Sequence, residues 1–190
     1  NVHYTQSSTD STSVKIYGPD NYLELIEVAI ADSTLMISMK KKQLKNVSRM
    51  KIMIATPNLN AVRLKGVGNI YINEPLTTPS LSIKNEGVGN IVVKELKSES
   101  VWIKTEGVGN VDISGESGKA VLLSKGIGNL KAGSLKCEEA EVVSEGIGNV
   151  SCYATGKLSA TSRGIGNIRY KGSPKETKIN KSGIGSIKPD

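Results

Sequence analysis

Residues Glu86–Val93 read EGVGNIVV: two glycines flank one branched apolar residue, and an asparagine leads into a β-type run. Such a turn can offer backbone N–H groups to an anion, so a phosphate-cradling loop is the first reading to weigh. The alternative is a corner between strands. The dinucleotide fingerprint wants a third glycine opening a helix, but Val92 stands there, inside a strand-like run. No copy of the motif carries the Lys-Ser/Thr ending of a P-loop.

Counting decides between the two. The motif recurs as Gly66-Val-Gly68-Asn69, Gly87-Val-Gly89-Asn90, Gly107-Val-Gly109-Asn110, Gly126-Ile-Gly128-Asn129, Gly146-Ile-Gly148-Asn149, Gly164-Ile-Gly166-Asn167 and Gly183-Ile-Gly185-Ser186. The first glycines lie 21, 20, 19, 20, 18 and 19 residues apart. A nucleotide loop is needed once, whereas a period near 20 marks stacked repeats.

Three columns are apolar in every copy. Four residues before the first glycine stand Val62, Ile83, Ile103, Leu122, Val142, Ala160 and Ile179. One residue after it stand Val67, Val88, Val108, Ile127, Ile147, Ile165 and Ile184. Four after it stand Ile70, Ile91, Val111, Leu130, Val150, Ile168 and Ile187. Apolar and polar residues alternate around them, the period of a half-buried strand. Each unit therefore reads as strand, tight corner, strand, with all three columns pointing inward and the residue between the glycines plugging the corner.

Coils stack about 4.8 Å apart, so every corner has others above and below. Backbone crowding between superposed corners selects the small residues, and a positive φ there costs glycine little and branched residues much. The asparagines would form a hydrogen-bonded amide column along the stack. Ser186 takes that place in the last copy, as suits an atypical terminal repeat. The opposite ends, such as KELKSES and GSLKCEE, vary and read as loops that absorb the drift in period; binding is expected on that side.

Residues 1–60 lack the motif but hold β-type runs separated by turn signals such as GPDN and ADST. They read as irregular coils that start and cap the same stack, giving one β-solenoid domain over 1–190 with seven corner repeats over 61–190. A small separate β-sandwich is the alternative.

The net charge of +7 is concentrated in residues 151–190, with eight Lys/Arg against two acids, and in the group Lys40, Lys41, Lys42, Lys45, Arg49 and Lys51. Anionic polysaccharide, lipopolysaccharide and nucleic acid are the partners such charge suits. Nucleic acid is not expected, because no aromatics interleave the basic stretches. Solubilising charge that discourages edge pairing is the favoured reading. No apolar run is long enough to cross a membrane, and the opening NVHYTQ points to a processed or shortened form.

Catalysis is poorly served. His3 is the single histidine, expected in a frayed terminal strand, and Asp10, Asp20, Asp32, Asp112 and Asp190 fall in different regions. Glu86, Glu106 and Glu145 share the position before the first glycine with Lys65, Lys125 and Arg163, which reads as cross-coil charge pairing. Cys152 lies in an apolar column and Cys137 in the variable end; a bridge between them stays open. No metal or cofactor site is expected. Calcium-binding nonapeptide repeats need aspartate where this chain has asparagine, and the apolar spacing of hexapeptide acyltransferases is missing.

The G-[VI]-G-N-[IVL] ladder, preceded by VKIYGPDN, VAIADSTLMI and KIMIATPNL, resembles the auto-transporter adhesin head family, or head GIN domain, over nearly the whole chain. The resemblance implies a single-stranded right-handed parallel β-helix, similar to pectin-lyase-like proteins without their catalytic residues. It also implies a Bacteroidetes-type, Gram-negative origin and an exported, cell-envelope location. The expectation is a non-enzymatic adhesin or surface-recognition module binding glycan or protein. A degenerate polysaccharide-acting enzyme and a purely structural envelope scaffold are the alternatives.

Overall fold

Alternating branched residues at a 20-residue period can satisfy their backbone only by pairing each strand with its counterpart one repeat away. A computed structural model describes residues 1–40 and 50–190, and it has this architecture: a β-solenoid of parallel coils about 20 residues apart. The first strands are β1 (Val2–Gln6), β2 (Ser13–Tyr17), β3 (Ile26–Ala31), β4 (Thr34–Met39) and β5 (Lys51–Thr56), with one helical turn, α1 (Asp20–Leu23). The coils follow as β6 (Ala61–Leu64), β7 (Ile70–Ile72), β8 (Leu76–Thr77), β9 (Ser80–Asn85), β10 (Ile91–Thr105), β11 (Val111–Ser124) and β12 (Leu130–Ser144). They end with β13 (Val150–Tyr153), β14 (Lys157–Ser162), β15 (Ile168–Lys171), β16 (Glu176–Lys181) and β17 (Ile187–Pro189).

Two of the apolar columns are cross-coil registers. Ile70, Ile91, Val111, Leu130, Val150, Ile168 and Ile187 pair in sequence, always parallel. Val62, Ile83, Ile103, Leu122, Val142, Ala160 and Ile179 do the same. In the middle of the stack both columns are fully buried; Ile179, in the last of these strands, pairs on one side only among the described residues and is exposed. Leu76, Leu96 and Leu135 fill the far end of the core.

That far end departs from expectation. KELKSES, SGESGKA and GSLKCEE are not loops but parts of the continuous strands β10, β11 and β12. Register shifts between Val93 and Leu96 and between Asp112 and Ser114 bend the chain without breaking the ladder. Coils on both sides occupy the backbone groups, so a bulge costs less than a loop that abandons them.

The N-terminal residues follow the coil pattern only in part. Strand β1 lies between β5 and β7, parallel to both, so it continues the stack. It is therefore held on both edges rather than frayed. Gln6 ties it across the turn: its Nε2 donates to Pro57 O and Thr77 O at 2.9 Å, and its Oε1 accepts from the Thr77 N–H. Strand β2 instead runs antiparallel to β5, and β3 with β4 forms an antiparallel hairpin. Asp32 and Ser33 at its tip have φ of 48° and 61°, the two left-handed residues that a tight two-residue turn requires. Lys41, Lys42, Lys45 and Arg49 lie outside the described residues; Lys40 pairs with Glu27 at 3.8 Å.

Candidate functional site

The glycine corners stand in one row. Val67, Val88, Val108, Ile127, Ile147, Ile165 and Ile184 are linked by successive parallel bridges. At the third corner the Gly107 N–H donates to Asn85 O, the Val108 N–H to Gly87 O and the Gly109 N–H to Ile127 O, all at 2.9 Å. These donors are engaged by neighbouring coils, so the turn has none to offer a phosphate.

The two glycines of a corner share one reason to be small, and the second has another besides. A Cβ on Gly107 would lie 2.0 Å from Gly87 O, with no unusual φ involved. Gly109 has φ +137°, and its Cβ would also meet Gly89 O at 2.0 Å. Crowding by the coil below thus acts on both glycines, as the stacking predicts, while positive φ applies to the second alone, a correction to its being expected at both.

The asparagine column exists and has a direction. Asn90 Oδ1 accepts the Asn110 backbone N–H at 2.9 Å and its Nδ2 at 3.1 Å, and Asn110 Oδ1 accepts the same pair from Asn129 at 2.9 and 3.3 Å. At the end, Ser186 donates both its N–H and its hydroxyl to Asn167 Oδ1 at 2.9 and 2.8 Å. Serine thus supplies the same two donors that Asn110 and Asn129 give at their rungs. At the other end Asn69 Nδ2 donates to Asn1 Oδ1 at 3.0 Å. Asn110→Ala should cost about 1–3 kcal/mol, because it strands the Asn129 N–H. Chemical denaturation checks this; an unshifted midpoint would remove the column from the stability account.

The residue between the glycines does not plug the core. It points outward in every copy, with exposures from 45% at Val108 to 86% at Val67. The inward place at the corner belongs to the residue two before the first glycine: Asn85, Thr105, Ser124, Ser144 and Ser162 are all buried. Constant apolarity in this column does not bring burial. Strict alternation from the buried column at Ile103 leads inward again at Thr105, and that signal was available. Asn85 is satisfied locally, its Nδ2 donating to Gly89 O at 3.0 Å and its Oδ1 accepting the Gly87 N–H. The Ser162 hydroxyl has no hydrogen-bond partner among the described residues.

Beside this ridge runs a charged flank. Arg63 grips Glu86 with two nitrogens, Lys84 bridges Glu86 at 2.9 Å and Glu106 at 3.4 Å, and Lys104 meets Glu106 at 2.6 Å. Glu145 joins Lys125 and Arg163, each at 2.9 Å. The expected pairing along one column therefore holds for Glu145. Glu86 and Glu106 use a second column, Arg63, Lys84 and Lys104, that the sequence reading left out. Arg63 first, then Lys84, hold the Glu86 carboxyl down to about 2. A carboxyl lowered on folding stabilises the fold above its ordinary range, and that support is lost as pH falls toward the folded value. Glu86→Gln should flatten the decline of the urea midpoint between roughly pH 4.5 and 2. An unchanged acid limb would mean that Glu86 does not contribute.

The far end of the coils carries a groove of about 430 Å³. Lys97, Glu116 and Lys136 form one of its rows across three coils, and Ser98, Ser117 and Cys137 the next. Tyr153 and Thr155 add an aromatic ring and a hydroxyl from the following coil, and Gly118 completes the lining. The Ser98 hydroxyl donates to Ser117 Oγ at 3.1 Å. This is the side where the sequence placed binding. The lining residues span 97 to 155, so their meeting depends on stacking.

The remaining reactive groups are quiet. Cys137 and Cys152 are buried free thiols, each pushed up to about 12 by burial, so neither is a nucleophile near neutral pH. His3 stacks on Tyr71 at 5.1 Å, and burial, then Lys51 and the amino terminus, lower its pKa. Among the described residues no three His, Cys, Asp or Glu side chains gather as a metal site, and no helix is long and apolar enough to cross a membrane.

Comparison with known proteins agrees with this architecture. The family model described as "Putative auto-transporter adhesin, head GIN domain" matches residues 1–174. A "putative adhesin" from Bacteroides fragilis has a crystal structure similar to the whole chain and to 87% of its own length, with 43% identity and TM-score 0.97. A "putative lipid binding protein" and a "putative adhesin", both from Parabacteroides distasonis, match the whole chain at 22% and 21% identity with TM-scores of 0.76 and 0.73. Each is covered over 88% of its length, and at that identity they speak for the fold alone. No curated protein matches.

Proposed function

The chain belongs to the auto-transporter adhesin head family, the head GIN domain, and from that premise we propose that it is a non-catalytic recognition module. The family is one of cell-surface or exported proteins. On this reading the module stands on the outer face of the envelope and binds extended carbohydrate along the far flank of its coils. The groove at Lys97, Glu116, Lys136 and Tyr153 carries the proposal. A sugar ring needs an aromatic face on one side and several fixed polar groups around its hydroxyls. Here one tyrosine, hydroxyls and charges of both signs stand on stacked coils about 4.8 Å apart. A polymer crossing successive coils meets a polar or charged side chain at each one, so weak contacts add along the rod. The non-catalytic reading is supported by the two thiols held protonated and by acids that pair with cations on the surface.

The test is a glycan array followed by calorimetry on the best ligand. Tyr153→Ala and Lys136→Glu should each weaken binding by roughly tenfold, as removal of a central contact does. Binding that ignores both changes, or an array with no retained glycan, would overturn the groove as the site. Protease accessibility on intact cells tests the outer-face location.

A further inference from the structure

The corner ridge is left unexplained by the groove. Seven branched side chains stand in a line, in register from coil to coil, and each is 45% exposed or more. Six steps of about 4.8 Å make the line about 29 Å long. Monomers seldom display so continuous an apolar row without a partner. Its bridges are backbone bonds, so the fold does not require apolar side chains there. Serine would serve the backbone equally.

The surroundings indicate what covers it. Three outward columns border the ridge: those three residues and one residue before each first glycine, and that five after it. Together they contain nine Lys/Arg against four Asp/Glu. Lys65, Lys131 and Lys188 are exposed there without an ion pair among the described residues. A second copy would set two cationic rims against each other, which like-charge repulsion disfavours. A rigid protein would need a matching trench, because the row is convex. A bilayer needs none: its interface yields to a single row of valine and isoleucine, and anionic headgroups meet the lysines on either side.

We propose that the corner ridge seats the solenoid lengthwise on a membrane surface bearing anionic headgroups. The inference does not depend on carbohydrate binding at the far end. One edge would lie on the bilayer while the groove faces away from it.

The experiment is co-sedimentation of the full chain with vesicles of equal parts phosphatidylcholine and phosphatidylglycerol, beside vesicles of phosphatidylcholine alone. The chain should partition to the anionic vesicles, less so as salt rises. The triple variant Val108→Ser, Ile127→Ser, Ile147→Ser should lose roughly tenfold or more in partitioning. Its melting curve checks that it is folded. The charge variant Lys131→Glu, Lys188→Glu should lose binding as well, and Tyr153→Ala should keep it. No sedimentation with anionic vesicles at low salt would overturn the proposal, as would a folded triple variant that binds like the wild type. A dimer by analytical ultracentrifugation that the triple variant abolishes would assign the ridge to a second copy, and would equally overturn it. Loss of glycan binding with vesicle binding intact would instead count against the groove.

Discussion

Gly107→Val should destabilise the fold by about 3–5 kcal/mol, or prevent folding outright. The new Cβ would sit 2.0 Å from Gly87 O, and that oxygen cannot withdraw because it accepts the Val108 N–H at 2.9 Å. The clash is with a backbone atom held by the next rung, so relief requires the coils to separate. Gly66 offers the control. It carries the same letter in the same motif, yet nothing lies within 4 Å of a Cβ built there. Gly66→Ala should change stability by less than about 0.5 kcal/mol. Urea unfolding of the two variants decides the matter. Equal losses would show that glycine is required by the turn itself rather than by the coil below.

Leu122→Ala should cost about 3 kcal/mol. Leu122 is fully buried, registered between Ile103 and Val142, and both of those neighbours are held by further coils. A stack closed above and below collapses poorly into a cavity, which puts the cost well inside the range for buried leucine. Val108→Ser, at a position equally constant in the repeat, should change stability by less than about 0.5 kcal/mol, since Val108 already meets solvent. Two apolar columns with the same regularity therefore differ several-fold in what they hold together. A loss at Val108 matching that at Leu122 would mean that the ridge is covered in the free protein.

Period, register and the buried columns at Leu122 and Val111 were determined by the sequence alone. They rest on short-range alternation and on the likeness of neighbouring repeats, which are written in the chain order. The asparagine ladder was legible for the same reason, down to the serine that ends it. The direction of side chains at the corner was not. Val108 turns outward because of the dihedral path between the two glycines, which a list of apolar positions does not contain, whereas the inward Thr105 follows by alternation from Ile103. The far end escaped similarly: KELKSES looks like a loop until coils on both sides claim its backbone. The groove from Lys97 to Tyr153 and the charged rim of the ridge exist only through stacking. Only the tertiary structure decided them, because they join residues whose separation along the chain has no bearing on which rung faces which.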